Sequence, residues 1–182
     1  MTRQNALAIA VSLDTGMRIG DVLHLEEENL VDDCIVYVAE KTDKPASAKC
    51  SSELISLLKE NAVNGVCFPS RAGAKGKYRT RQAVWHDVRK AATCAGIKPH
   101  VSPHTARKTF AVELRRRLGV GAVQAALQHR YPTTTNLYAF ADVQGIEYNR
   151  ESIVSETARK VIDRLSEIFG MDLNELSMQK NL

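Results

Sequence analysis

The 182-residue chain has little cysteine, few aromatic side chains and no long apolar run. Its four cysteines are Cys34, Cys50, Cys67 and Cys94. None belongs to a CxxC pair and no histidine stands at a zinc-ligand spacing from them, which predicts buried, reduced thiols rather than disulfides or a zinc site. No run is long enough to span a membrane. The early stretch ALAIAVSL leads directly into Asp14 and Arg18, which is typical of a core helix rather than a signal peptide.

Neither positive nor negative charge is in large excess. Lysine and arginine outnumber aspartate and glutamate by 25 to 21, so the net charge of +4 favours an anionic partner only weakly. The acidic runs Glu26–Glu28 and Asp32–Asp33 are typical of a solvated edge, and no carboxylate cluster indicates a two-metal centre. We therefore expect no cofactor. With 44% hydrophobic residues and no internal repeat, the chain is expected to form one globular domain, or one domain with an appendage.

The most informative stretch runs from residue 102 to residue 140. Ser102 is expected to cap a helix whose first position is Pro103. His104 and Arg107 then lie three residues apart, on one face of the first turn of that helix. Free backbone N–H groups and the positive end of the helix dipole make this end of a helix favourable for an anion.

The second half of this stretch supplies two further candidate side chains. A helix that follows Gly119 is expected to deliver His129 at its carboxyl end. Pro132 and the Thr133–Thr135 run then interrupt the chain and begin a shorter helix, which carries Tyr138. Two histidines, an arginine and a tyrosine at these spacings suit a single phosphate-handling site.

Three sequence boxes resemble those of tyrosine recombinases, the phage integrase family. HTARKTFA is similar to the family's HxxR box, and LQHRYPTTTNLY is similar to its LGH…TT…Y box. Earlier, DTGMRIGDVLHL is similar to the first-arginine box, with Arg18 as its arginine and Asp21 at its acidic position. One short pattern recurs by chance, but three in the family's order, across roughly residues 5 to 141, are a specific signal.

The resemblance implies a catalytic role for six residues, namely Arg18, Lys41, His104, Arg107, His129 and Tyr138. Arginines stay protonated and present a planar fork of N–H groups, so Arg18 and Arg107 are expected to clamp the oxygens of a DNA phosphate. By resemblance, Asp21 orients Arg18.

The proton transfers and the covalent step follow from the same resemblance. Tyr138 is the expected nucleophile and forms a covalent link to the 3′ end of DNA. His104 accepts or relays the proton of that tyrosine. Lys41 protonates the departing 5′ oxygen, and His129 hydrogen-bonds the phosphate.

Two of these assignments leave a rival residue. The turn KTDKP contains both Lys41 and Lys44, and Lys41 fits the family's Lys-Thr pattern better. Tyr131 lies only two residues after His129, but the spacing and the threonine run favour Tyr138.

The resemblance also implies a fold and partners. We expect a mainly α (α+β) fold of the DNA breaking-rejoining type, a helical catalytic domain with a small three-stranded antiparallel sheet. The domain is expected at residues 1–150, followed at 151–182 by a helical segment that closes its own core or docks on a neighbouring protomer. Because integrases carry a DNA-clamping domain ahead of the first-arginine box, and only residues 1–17 precede Arg18, that domain is expected to be absent. The expected partners are double-stranded DNA and other copies of the chain, as a tetramer on DNA or a monomer without it, in the cytoplasm and away from membranes.

Local patterns predict the individual elements. We expect helices at 3–13, 18–25 and 80–95, a helix after Ser51 or Ser52, and a sheet within 29–50 whose clearest strand is CIVYVA. VCFPS is interpreted as a buried extended segment and Trp85 as a core residue. The basic loop at 71–81 would lie along a phosphate backbone in a DNA-binding protein.

A site-specific recombinase or integrase is the leading hypothesis. A topoisomerase with the same chemistry and a catalytically silent DNA-binding module are the alternatives. The silent module differs from both enzymes because it would not trap DNA covalently.

Overall fold

The computed structural model describes residues 1–71, 76–97 and 101–127. Backbone contacts divide the chain into two units, Met1–Arg107 and Lys108–Leu182. The described elements are α1 (Arg3–Thr15), α2 (Ile19–Leu23), β1 (Leu30–Val31), β2 (Cys34–Ala39), β3 (Lys44–Lys49), α3 (Ser52–Asn61), α4 (Arg81–Cys94) and α5 (Pro103–Leu127). Mostly helical, with one small antiparallel sheet, they confirm the predicted fold class. Among the described helices, none has the length and apolar character needed to cross a membrane.

Helix α1 is the centre of the first unit, because α2, α3 and α4 all pack against it. It is buried on every side from Asn5 to Ser12, which explains why residues 6–11 are all apolar rather than amphipathic. Thr2 caps the start of α1 by accepting a hydrogen bond from the backbone N–H of Asn5. Gly16 ends the helix in the left-handed region, with φ 71°, and its N–H donates to the carbonyl of Ser12 at 3.0 Å.

The sheet has the order β1-β2-β3, and both strand pairs are antiparallel. Ile35 and Ala39 of β2 face the core, whereas Val36 and Val38 face outward. Strand β3 begins at Lys44, so the turn that joins it to β2 is shorter than the predicted KTDKP. A proline near the start of β3 is tolerated because β3 is an edge strand and need not donate on its outer side.

Helix α4 corrects the interpretation of Trp85 as a core residue, which is wrong. Val84 and Val88, one helical turn apart, take the buried positions, and Trp85 follows the first of them and points outward with 41% of its surface exposed. The guanidinium of Arg89 lies 5.5 Å from the centre of the indole ring. This distance suits a cation–π contact at the protein surface.

Two residues of the basic loop make contacts within the protein. Arg79 is buried and donates to the side chains of Asn5, Gln4 (2.7 Å) and Thr2 (3.3 Å), which join the loop to the start of α1. The ammonium of Lys77 donates to Glu26 at 2.6 Å. These two cations therefore hold the loop in place, and the prediction that the whole loop follows a phosphate backbone does not apply to Arg79.

In the second unit, α5 is interrupted at Gly119, which has φ 82°. The predicted change of helix after this glycine is therefore present. Ala111, Val123 and Leu127 form a small buried cluster from both sides of the break. Gln128 and everything after it, including the helical segment expected at 151–182, lie outside the described residues.

The four cysteines, all of which lie in the described part of the chain, form no disulfide, but their environments differ. Cys50 and Cys67 are buried, as predicted, whereas the prediction is wrong for Cys34, which is partly exposed, and for Cys94, the last residue of α4, which is exposed. Burial raises the pKa of the Cys67 thiol to about 12, and the nearby carboxylates of Glu27 and Glu26 add to the rise.

We expect Cys94 to react with a maleimide at least about a hundredfold faster than Cys67 in the folded protein. The reason is exposure combined with ionisation: Cys67 stays protonated until the pH approaches its raised pKa, so alkaline buffer does not activate it. Mass spectrometry of labelled peptides gives both rates, with Cys94→Ser as the control. Equal rates for the two thiols before unfolding would contradict the described packing.

Candidate active site

A single cleft in the first unit collects most of the predicted site residues. It has a volume of about 370 Å³ and is lined by Arg18, Ile19, Gly20, Asp21, Glu40, Lys41, Arg81, Pro103, His104 and Arg107. Four of the six candidates, Arg18, Lys41, His104 and Arg107, are therefore together. They come from three separate parts of the chain, namely the start of α2, the β2–β3 turn and the first turn of α5.

Arg18 is placed by the end of α1. The left-handed Gly16 turns the chain, and Arg18 follows as the N-cap residue of α2, with φ −68° and ψ 143°. Its side chain is 28% exposed, and its Nη1 lies 3.9 Å from Oδ2 of the buried Asp21. Helix α2 begins one residue later than predicted and ends at Leu23, so Arg18 is an extended residue that precedes the helix.

Asp21 links this arginine to the hairpin turn. Its Oδ1 accepts the backbone N–H of Glu40 at 3.0 Å, while Oδ2 faces Arg18. The distance from Arg18 to Oδ2 is that of an ion pair and not of a hydrogen bond, and Oδ2 is buried without a hydrogen-bond partner. Asp21 is therefore joined to the residue that precedes Lys41 by a hydrogen bond and to Arg18 by charge alone.

The β2–β3 turn places Lys41 and not Lys44 at the cleft. The N–H groups of Thr42 and Asp43 both donate to the carbonyl of Ala39, at 3.0 and 2.8 Å, and Asp43 adopts φ 52°. Lys41 is exposed at the top of this turn and lines the cleft. Lys44 is already the first residue of β3 and is not among the lining residues.

The first turn of α5 carries His104 and Arg107 into the same cleft. The helix begins at Pro103, as predicted, and the N–H of Thr105 donates to the carbonyl of Ser102 at 2.8 Å. His104 is exposed to solvent, whereas Arg107 is only 4% exposed. Nη1 of Arg107 donates to the carbonyl of Gly16 at 2.5 Å, which fixes the guanidinium beside the turn that leads to Arg18.

Tyr37 of β2 is half-buried near these charges. Burial raises the pKa of its phenol, the Asp21 carboxylate adds to the rise, and Arg107 and Arg18 oppose it. A raised pKa means that the Tyr37 phenol gives up its proton less readily than an unperturbed tyrosine.

The charges of the cleft suit a phosphate. Arg18, Lys41, Arg81 and Arg107 bring four cations to it, against the two carboxylates of Asp21 and Glu40. Asp21 is buried behind Arg18, so the cations dominate the accessible surface. Fixed guanidinium groups stabilise an anion best where they are already oriented before it arrives.

Five lining residues were given no role in the site from the sequence, namely Ile19, Gly20, Glu40, Arg81 and Pro103, the last of which was predicted only as the start of a helix. Gly20 belonged to the first-arginine box, and Glu40 lies between the predicted strand CIVYVA and the predicted turn KTDKP. Arg81 closes the basic stretch RAGAKGKYRTR, and no spacing pattern distinguishes it from the other cations there. Their common position depends on how α2, the hairpin and α4 pack, which short patterns do not contain.

The other two candidates, His129 and Tyr138, lie outside the described residues, as does the rival Tyr131. Their roles therefore stay predictions from the sequence boxes.

We expect Asp21→Ala to lower the free energy of unfolding by about 1–3 kcal/mol, because it leaves the Glu40 N–H without its acceptor. Asp21→Asn keeps an acceptor at Oδ1 and should lose less than half as much. Denaturant unfolding measures both, with the exposed Glu60→Ala as a control that changes charge elsewhere. Equal losses for Asp21→Ala and Asp21→Asn would show that the bond to the turn contributes nothing.

The comparison with known proteins identifies the family to which this fold belongs. The chain belongs to the phage integrase family, whose model matches residues 2–145. It is 32% identical over 137 residues to the tyrosine recombinase XerD of Staphylococcus aureus (strain N315), an alignment that covers 68% of this chain and 45% of that protein. The chain thus spans about half the length of the curated relatives it matches.

Two solved structures are similar to this chain. A XerH site-specific recombinase bound to palindromic difH substrate, in a post-cleavage complex, has 26% identity and a TM-score of 0.63, over 85% of this chain and 46% of that chain. The catalytic domain of bacteriophage HP1 integrase has 20% identity and a TM-score of 0.58, over 80% of this chain and 79% of that chain, which is a likeness of fold alone.

Proposed function

We propose that this chain is the catalytic part of a site-specific DNA recombinase, which cuts and rejoins double-stranded DNA through a covalent 3′-phosphotyrosyl intermediate. The observation that carries the proposal is the single cleft that holds Arg18, Lys41, His104 and Arg107 in a member of the phage integrase family. Each of these side chains has a distinct task at a reacting phosphate.

The two arginines stabilise charge. A phosphodiester gains negative charge as a nucleophile attacks, and Arg18 and Arg107 bind its two non-bridging oxygens through their N–H groups. The Gly16 carbonyl orients Arg107, whose guanidinium therefore does not have to be reorganised when DNA enters, and the charge of Asp21 attracts Arg18. His129 adds a hydrogen bond to the same phosphate.

The remaining residues move protons. A phenol has an unperturbed pKa of about 10, so Tyr138 needs a proton acceptor or a strong positive field before it attacks. Its oxygen forms a bond to phosphorus while its proton passes to His104, and the bond from phosphorus to the 5′ oxygen breaks. Lys41 gives a proton to that departing oxygen, and strand joining is the same sequence in reverse.

This chemistry needs neither a cofactor nor ATP, because the phosphotyrosyl link conserves the energy of the broken bond. The likeness to a DNA-bound XerH structure supports double-stranded DNA as the partner. We propose a tetramer on two duplexes, with residues 1–150 as the catalytic domain and 151–182 as a helical segment that closes its own core or docks on a neighbouring protomer. We also propose that the protein acts in the cytoplasm.

The test is covalent trapping. The protein is incubated with a nicked duplex that spans the recombination site of its own element, so that the cleaved end diffuses away and the reaction cannot reverse. A protein–DNA adduct that survives a denaturing gel, with the protein on the 3′ side of the break, is expected. Salt-sensitive DNA binding without an adduct would favour the silent module. Relaxation of supercoiled plasmid without strand exchange would favour the topoisomerase.

A further inference from the structure

Arg81 is a cation of the cleft that the scheme above does not use. It is the first residue of α4 and it lines the cleft together with Arg18, Lys41 and Arg107. Unlike Arg107, it is exposed to solvent. A basic side chain at the exposed edge of a phosphate site is in a position to meet the DNA strand on either side of the reacting phosphate.

Gly20 marks the point where Arg81 reaches the wall of the cleft. A Cβ atom added to Gly20 would lie 2.9 Å from Oε2 of Glu40 and 3.6 Å from both Cδ and Nη1 of Arg81. The carboxylate of Glu40 and the guanidinium of Arg81 therefore flank the same spot on α2. A side chain at position 20 would make the Glu40 carboxylate shift, whereas 3.6 Å from Arg81 is an ordinary van der Waals contact.

Glu40 is held at this edge by its backbone. Its N–H donates to Asp21 at 3.0 Å, and the turn that it begins is closed by two hydrogen bonds to the Ala39 carbonyl. The exposed carboxylate thus lies near the guanidinium of Arg81, beside Gly20, although these two described groups do not form an ion pair. A DNA phosphate that approaches Arg81 also approaches this negative charge.

We propose that Arg81 binds a DNA phosphate next to the reacting one, and that Glu40 is its counter-ion until DNA arrives. This rests on the proposed function, because it assumes that the cleft receives a DNA strand. Phosphates follow one another along each strand, so a strand that places one phosphate between Arg18 and Arg107 brings its neighbours to the edge of the cleft. Arg81 then exchanges the Glu40 carboxylate for a phosphate oxygen, and no covalent bond changes.

The experiment measures binding of the 182-residue chain to a duplex of arbitrary sequence over a range of salt concentrations, because contacts to phosphate do not depend on sequence. Arg81→Ala is expected to weaken binding about tenfold and to lower the slope of log K against log salt by about 1. Arg81→Lys should restore most of the affinity, since it keeps the charge. Lys59→Ala, which removes an exposed lysine of α3 away from the cleft, is the matched control.

Glu40→Gln tests the counter-ion. It removes the competing charge with little change in shape, so binding should tighten by about threefold. Because the gain acts through Arg81, it should disappear when the two substitutions are combined. A merely structural effect of Arg81→Ala would weaken DNA binding without changing the salt slope. A merely structural effect of Glu40→Gln would weaken DNA binding instead of tightening it.

Each result decides the proposal. If Arg81→Ala behaves like Lys59→Ala, the phosphate contact does not exist. If Glu40→Gln tightens binding equally with and without Arg81, its carboxylate only repels DNA in general and is not a counter-ion. Wild-type protein that shows no salt-sensitive DNA binding would instead overturn the proposed function itself. Circular dichroism of every variant separates these outcomes from a failure to fold.

Discussion

Tyr138→Phe is expected to abolish the covalent protein–DNA adduct while leaving DNA affinity within about twofold of the wild-type value, because binding depends on phosphate contacts and not on this hydroxyl. Phenylalanine keeps the ring and its packing but has no oxygen to form the bond to phosphorus. The adduct is measured on a denaturing gel with the nicked duplex, and affinity is measured separately by titration.

Tyr131→Phe is the matched control, since it makes the same change close by in the sequence. It should give wild-type amounts of adduct. An adduct that persists in Tyr138→Phe and disappears in Tyr131→Phe would move the nucleophile to Tyr131. Peptide mapping of the wild-type adduct identifies the modified tyrosine independently of either variant.

Arg107→Lys is expected to slow adduct formation by about 10²–10³-fold, the usual effect of removing one fixed donor from a charged transition state. A lysine keeps the charge, but its three donors share one nitrogen on a flexible stem, so it cannot hold the Gly16 carbonyl and a phosphate in the fixed geometry of the planar guanidinium. Arg107 is 4% exposed, so nothing from solvent can replace the lost donor. Single-turnover trapping with saturating protein isolates this step from binding.

The matched control for that variant is Arg116→Lys, which makes the same chemical change at an exposed position of α5. It should trap DNA at the wild-type rate. Because Arg107→Lys also loses a buried hydrogen bond, its free energy of unfolding should fall by about 1–3 kcal/mol, and the assay belongs well below its unfolding temperature. A trapping rate within threefold of wild type would show that Arg107 is structural only.

Much of the fold follows from local sequence patterns. The β-branched run CIVYVA marks β2 at its observed bounds, and the apolar stretch after Arg3 marks α1. Ser102 and Pro103 mark the start of α5, and with it the common face of His104 and Arg107. In each case, the information lies within a few residues of the element that it determines.

The errors and omissions arise where distant segments meet. Trp85 is a large apolar residue of the kind usually found in a core, but Val84 and Val88 take the buried positions of α4. Arg79 belongs to a loop that reads as solvated, yet the amides of α1 bury it. Glu40 and Arg81 are far apart in the chain, and only the packing around Gly20 of α2 brings them near each other.

The two tasks of Gly16 affect which residues position 16 can accept in active and in inactive relatives of this chain. Its left-handed backbone aims Arg18, and its carbonyl receives Arg107, so two side chains from distant boxes depend on one residue without a side chain. In a lineage that has lost activity, Gly16 no longer has to position Arg18 or to accept the hydrogen bond of Arg107. Position 16 should then accumulate larger residues, as the two arginine positions also become free to change. A substituted position 16 would therefore be an early genetic sign of an inactive copy, even where every catalytic residue is still present.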